Sequence, residues 1–237
     1  MLLRRTVAPV LLVIAAVALY GTVVRSWMRN WGAADVEVSA ELPGESTAAT
    51  PHYQARRAIT INAPAEVVWR WLIQIGQGRG GFYSYDWLEN LFNLDIHSTD
   101  RIVPEFQALA LGDFIAAEPN HVAGWRVTEI DTGKSLVLTV SIEESASPDA
   151  PQLDTDAFSG VWIFQLNPID TSSCRLIADF RADFESGPLP AALLALLLEP
   201  VHFIMERKML HGIRERAERS ASDNPGEPIQ VRHMTGQ

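Results

Sequence analysis

Cysteine is almost missing: Cys174 stands alone among 237 residues. That excludes an internal disulfide framework and any multi-cysteine zinc or iron–sulfur site. Basic charge is in deficit too, since 19 Lys and Arg face 29 Asp and Glu for a net −10. A nucleic-acid binder needs a basic face to displace counterions, so nucleic acid is not an expected partner. Internal repeats are absent, as are a Ser-His-Asp order and a nucleophile elbow. What the chain does have is 47% hydrophobic and 20% charged residues, which excludes a disordered chain, and a length of 237 that allows one good-sized domain or two small ones.

Acidic residues are missing from the whole stretch before Asp35, which carries only Arg4, Arg5, Arg25 and Arg29. Between those arginine pairs the run from Val7 to Val24 is uncharged. Eighteen residues at about 1.5 Å each span roughly 27 Å, close to the hydrocarbon thickness of a bilayer. Trp27 and Trp31 beside Arg25 and Arg29 suit the headgroup level. The expectation is an uncleaved single-pass membrane anchor over 1–31. A cleaved signal peptide is the rival, with Ala16-Val17-Ala18 as its small-residue site, but the apolar run continues past that site. The leading amine tips the orientation toward a cytoplasmic N-terminus, which puts the acidic domain on the extracytoplasmic side of the cell membrane.

Residues 32–54 are rich in Pro, Gly, Ser, Thr and Ala and read as a linker. Residues 220–237 read as a flexible tail. The folded unit between them, 55–219, opens with an alternating strand at Arg57-Ala58-Ile59-Thr60-Ile61. A helix then starts at Pro64, with Val67, Val68, Trp71, Leu72 and Ile75 at helical spacing. A second helix is expected from about Tyr83 to Leu94. Alternating runs follow at 112–117, 125–130, 136–142, 158–166 and 174–184, with an acidic loop over 143–157. In the last strand Leu176, Ala178, Phe180, Ala182 and Phe184 are expected to face in, and Arg175, Asp179, Arg181 and Asp183 to face water. A long helix from about Pro190 to Arg219 closes the unit, and its apolar start is interrupted by Glu199, Pro200 and His202 before it reaches spanning length. The order defines an α+β fold: a curved antiparallel sheet wrapped round a long C-terminal helix, with a pocket between them.

This order, with the phrase INAPAEVVWRWL after the first strand, resembles the START-like or SRPBCC superfamily, which includes the polyketide cyclases and dehydrases. The segments GQGRGGFYSYDWLENLFNLDIHSTDRIVPEFQ (76–107) and EPVHFIMERKML (199–210) resemble a membrane-anchored, uncharacterised bacterial branch of it. The resemblance implies a helix-grip fold and a cavity for a hydrophobic ligand. It carries no known reaction and no cofactor.

Several motifs bear on the site. Gly76, Gly78 and Gly81 satisfy G-x-G-x-x-G, yet a helix precedes them where a dinucleotide fingerprint needs a strand, so a helix–helix turn is the better reading. Arg79 among them reads as an exposed turn arginine, or as a contact for an anionic headgroup. Tyr83, Tyr85, Asp86, Trp87 and Asn90 put polar tips on a mostly apolar helix, where they would orient a ligand by hydrogen bonds or simply satisfy backbone and water. His202 and Glu206 lie four apart on the last helix, so their side chains can meet. No third ligand joins them or His97 or His121 in a sure metal set. Cys174 has no activating neighbour in sequence and reads as an inert thiol.

Three functions follow in order of preference. The first is a membrane-tethered module that binds a lipid-like or polyketide-like molecule. The second is a cyclase- or dehydrase-type enzyme with His202, Glu206, Tyr83 or Asp86 as acid/base groups in the same cavity. The third is a membrane-bound interaction module whose cavity is packed shut.

Overall fold

The computed structural model describes residues 12, 15, 18–48, 51–142, 158–184 and 188–223. Six strands form one antiparallel sheet: β1 (Tyr53–Ile61), β2 (Phe114–Ala116), β3 (Ala123–Asp131), β4 (Ser135–Ile142), β5 (Phe158–Pro168) and β6 (Cys174–Phe184). Their spatial order is β1-β6-β5-β4-β3-β2, so the first strand closes beside the last. Five α-helices accompany them among the described residues: α1 (Arg25–Arg29), α2 (Asp35–Ser39), α3 (Ala65–Leu72), α4 (Asp86–Asn90) and α5 (Pro188–Asp223). The α+β architecture is the expected one, with a curved sheet lying along one long C-terminal helix.

Period-2 alternation builds the concave face. Leu136 and Leu138, Phe164 and Leu166, Leu176 and Ala178 all point to one side and join a single apolar core. From the helical side Val68, Trp71 and Leu72 of α3 enter that core, as do Met209, Leu210, Ile213 and Ala217 of α5. The repeat of 3.6 residues places these four α5 side chains on one stripe. Helix α5 continues through Pro200 and ends at Asp223, four residues beyond the expected stop.

The convex face departs from expectation. Asp179 is fully buried and Arg181 nearly so, where the strand pattern pointed both to water. The cause is the segment read as a linker. Residues 35–48 lie across the outside of the sheet, and Ala48 and Leu42 pack on Val137, Val161 and Ile163. Buried Arg56 on β1 donates to the carbonyls of Glu37, Val38 and Ala40 and pairs with both Glu45 and Asp179. Arg181 completes the group by pairing with Glu45 at 2.9 Å and Asp179 at 3.3 Å. Each buried charge thus has an opposite partner, which is what makes such burial tolerable.

Helix α1 is fastened just as firmly. Arg25 grips Glu199 of α5 with two hydrogen bonds, at 2.7 and 2.6 Å, and Arg29 adds a third at 2.5 Å. Trp27 packs edge-on against Phe203 with ring centroids 5.1 Å apart, and the amide of Ala58 donates to the carbonyl of Trp31. Among the described residues no helix is long and apolar enough to cross a membrane, and much of the run 7–24 lies outside them. The expected loop over 143–157 and residues 224–237 of the expected tail also lie outside them.

Candidate functional site

The sheet and α5 do not close on each other completely. A cavity of about 300 Å³ remains between them. Its sheet wall is aromatic: Trp125 of β3, Trp162 of β5 and Phe180 of β6 sit side by side, with the two indoles 5.3 Å apart. Met205 and Met209 line the helix side, and Phe82, Leu94 and Ile96 come from the segment that crosses between α3 and β2. The polar lining is sparse, consisting of Ser84, Glu89, His202 and Glu206. Apolar walls with a few placed polar groups are the usual composition of a small-molecule pocket.

His202 and Glu206 do meet on this wall, as their spacing of four requires, with Nε2 and Oε1 3.6 Å apart. Behind them, Arg57 of β1 is wholly buried and pairs with Glu206, while Trp162 donates its indole N–H to Glu206 at 2.8 Å. Arg57 also donates to Nδ1 of His202 at 3.2 Å and to the hydroxyl of Tyr53 at 3.2 Å. A guanidinium can only donate, so Nδ1 is an acceptor and the imidazole carries its proton on Nε2, toward Glu206. The Tyr53 hydroxyl, 3.0 Å from the same Nδ1, then donates to it as well. Burial, aided by the Arg57 charge, holds His202 well below the ordinary histidine value, which keeps it neutral. Burial pushes the Glu206 carboxyl up, against the pull of Arg57.

The other expected site residues stand elsewhere. Tyr83 is buried in the core at a positive φ of 56°, donates to the Trp71 carbonyl and accepts from Gln74. Asp86 accepts from the amide and hydroxyl of Ser98, at 2.7 and 2.6 Å. Asn90 clamps both backbone groups of Ile96. Tyr85 rests edge-on against Trp87, and Trp87 is 68% exposed. None of these five lines the cavity. Their segment also holds much less helix than the apolar pattern announced: α4 covers Asp86–Asn90 alone. The reason is local, because Asp86 and Asn90 spend their side chains on the returning chain at 96–98, the competition that keeps Asp and Asn out of helix interiors.

Other motifs resolve into structure. The glycine-rich stretch is a tight turn in which Gly76 and Gly81 exchange both backbone hydrogen bonds at 3.0 Å. It follows a helix and faces an antiparallel sheet, as the non-nucleotide reading requires. Arg79 is not a free turn arginine. It donates to the carbonyls of Ile73 and Ile75 at the end of α3 and lies over the ring of Phe106. Cys174 is buried, with its thiol pushed up to about 11. Among the described residues no three His, Cys, Asp or Glu side chains gather as a metal set.

Glu89, like Arg57 and Trp162, is a site residue that the sequence did not announce. It lies on α4 and lines the cavity, with only 8% of its surface exposed. Burial, reinforced by the charge of Asp86, pushes its carboxyl up to about 7. Its place between Leu88 and Asn90 gave no signal, because the residues that share the cavity wall with it come from distant segments.

No protein-family model and no curated protein matches the chain. Solved structures do resemble it in outline. A hypothetical protein of Helicobacter pylori aligns over 76% of this chain and 96% of its own, at 12% identity and a TM-score of 0.44. A Mesorhizobium loti protein covers 71% of this chain and 98% of its own, at 17% identity and a TM-score of 0.39. The di-domain ARO/CYC StfQ of the steffimycin biosynthetic pathway aligns over 71% of this chain and 51% of its own, at 13% identity and a TM-score of 0.43. At such scores these likenesses bear on neither ligand nor reaction.

Proposed function

We propose that the chain is a membrane-tethered binding module for a hydrophobic small molecule, lipid-like or polyketide-like, held between the sheet and α5. The observation that carries this reading is the apolar cavity of about 300 Å³ walled by Trp125, Trp162, Phe180, Met205 and Met209. Its size stands at the lower end of small-molecule pockets, roughly 300–1,000 Å³. The two methionines add a soft wall able to follow the shape of an apolar guest.

The tether is the uncharged run 7–24, with the domain on the extracytoplasmic side. Support comes from the docking of α1: Arg25 and Arg29 fix the residues that follow the run against Glu199. An anchor in the bilayer would therefore set the position of α5 relative to the surface. The test is native mass spectrometry of the full chain released from lipid nanodiscs. The expected result is a reproducible added mass that organic solvent extracts and that Trp162→Ala reduces. A bare chain mass with no extractable guest would overturn the carrier reading.

A cyclase- or dehydrase-type reaction in the same cavity is the second reading. It is favoured by one observation, the approach of the protonated Nε2 of His202 to Glu206 at 3.6 Å. A guest recovered chemically unchanged after prolonged incubation would remove it.

A further inference from the structure

Five buried side-chain polar atoms have no hydrogen-bond partner among the described residues: those of Tyr20, Arg29, Gln77, Glu89 and His211. Of these residues only Glu89 lines the cavity between sheet and helix. The other polar groups in that lining are engaged, except for Nε2 of His202, which stands 3.6 Å from Glu206. Ser84 donates its hydroxyl to the carbonyl of Met205 at 3.0 Å. Glu206 holds Arg57 and Trp162, and Nδ1 of His202 holds Arg57 and Tyr53. An unpaired buried oxygen is destabilising, and a native structure that keeps one in a cavity wall has a reason to keep it there.

The charge of the lining narrows what that reason is. Two carboxyl groups, Glu89 and Glu206, face the space, and no lysine or arginine side chain lines it. Arg57 is spent behind Glu206. A guest carrying a carboxylate or phosphate would meet acidic groups in a low-dielectric wall with no cation to receive it. A guest whose polar end is only an acceptor would have to turn to the Nε2–H of His202, beside Glu206, or to a protonated Glu89. A donor group suits Glu89 in either state, because carboxyl and carboxylate both keep an acceptor oxygen.

Building on the binding-module reading above, we infer that the guest is an amphiphile without negative charge, whose polar end donates a hydrogen bond from a hydroxyl or an ammonium to Glu89. Its apolar body lies along Trp125, Trp162 and Phe180, and its polar end is turned toward α4. Glu89 then acts as the specificity-determining residue of the cavity, separating alcohols and amines from fatty acids.

Four probes of one chain length test this: decanol, decylamine, decanoate and 2-decanone, titrated into the full chain in lipid nanodiscs with empty nanodiscs as the partition blank. At about pH 8.5, where the Glu89 carboxyl is ionised, decanol and decylamine are expected to bind at least about tenfold more tightly than decanoate and 2-decanone, the worth of one hydrogen bond to a charged group. Glu89→Leu should lower decanol and decylamine affinity about tenfold and leave 2-decanone unchanged. Glu89→Gln, which keeps an acceptor oxygen without the charge, should hold decanol within about threefold and narrow the gap to decanoate. Equal binding of all four probes, or affinities that Glu89→Leu does not move, overturns the assignment of Glu89 while the cavity stands. If none of the four binds above the blank, the carrier reading falls and this inference falls with it.

Discussion

Arg57 and Glu206 oppose each other with side chains that water hardly reaches, 0% and 1% exposed. Removing one member of such a pair strands a buried charge. Arg57→Leu should therefore lower unfolding free energy by about 3–5 kcal/mol, read by urea denaturation with tryptophan emission. The double change Arg57→Leu with Glu206→Leu should recover a large part of that loss, since no lone charge is left. Glu89 makes a different demand. Its folded carboxyl sits near 7 against an ordinary 4.5, so between those values the folded state holds a proton that the unfolded chain has released. Stability from this group is complete below about pH 4.5 and is lost as pH rises past about 7, by at most about 3.5 kcal/mol at roughly 1.4 per unit. Glu89→Gln has no proton to lose. Measured from pH 5 to pH 8, its stability should fall less than that of the unaltered chain. An identical slope in both would mean that Glu89 is not desolvated in the folded protein.

Helix α5 reaches its place in the core through one close approach. A methyl group on Gly212 would stand 2.3 Å from the carbonyl oxygen of Tyr83 and 2.8 Å from its Cβ, far inside contact distance. Tyr83 cannot retreat, because its amide donates to Ser98 and its hydroxyl is tied to Trp71 and Gln74. Gly212→Ala gains about 1 kcal/mol of helix propensity, yet should lower stability by about 2 kcal/mol net as the helix is pushed off the 83–98 segment. A thermal melt that rises in this variant would show that the approach is loose. Elements with strong periodicity, such as β6 and α5, were legible because each side-chain pattern reports one buried face. The same periodicity misread the other face of β6. Asp179 and Arg181 looked solvent-facing because nothing in their own strand reveals that Glu45 and Ala48, more than 120 residues away in the chain, come to cover them. The site divides the same way: spacing brought His202 to Glu206, while Arg57, Trp162 and Glu89 join them through tertiary contacts that no local pattern records.

On the scale of the molecule, one end of α5 differs from the rest of the surface. Leu196, Leu197, Leu198, Val201 and Ile204 are 48–65% exposed, and Trp27 beside Phe203 is 55% exposed. Exposed apolar side chains scattered singly need no explanation, but this group is contiguous along the helix turns that lead into the cavity wall at His202 and Met205. It also adjoins α1, whose preceding residues Leu19 and Val23 are exposed as well. The opposite end carries the β5–β6 turn with Ile169. Because α5 follows β6 closely in sequence, the eleven residues of β6 separate that turn from the start of α5 by about 35 Å at roughly 3.3 Å each. A chain anchored by 7–24 should therefore seat the apolar end of α5 in the headgroup region and hold Ile169 in water. Spin labels at Leu197→Cys, Val201→Cys and Ile169→Cys in the full chain, reconstituted in vesicles, distinguish the cases by their access to oxygen and to a water-soluble nickel chelate. Positions 197 and 201 should favour oxygen and position 169 the chelate. If carbonate washes the chain from the vesicles, both tether and seat are lost. If the chain is retained while all three labels favour the chelate, the tether stands and the domain rides clear of the surface, so a guest would have to cross water to reach Trp162.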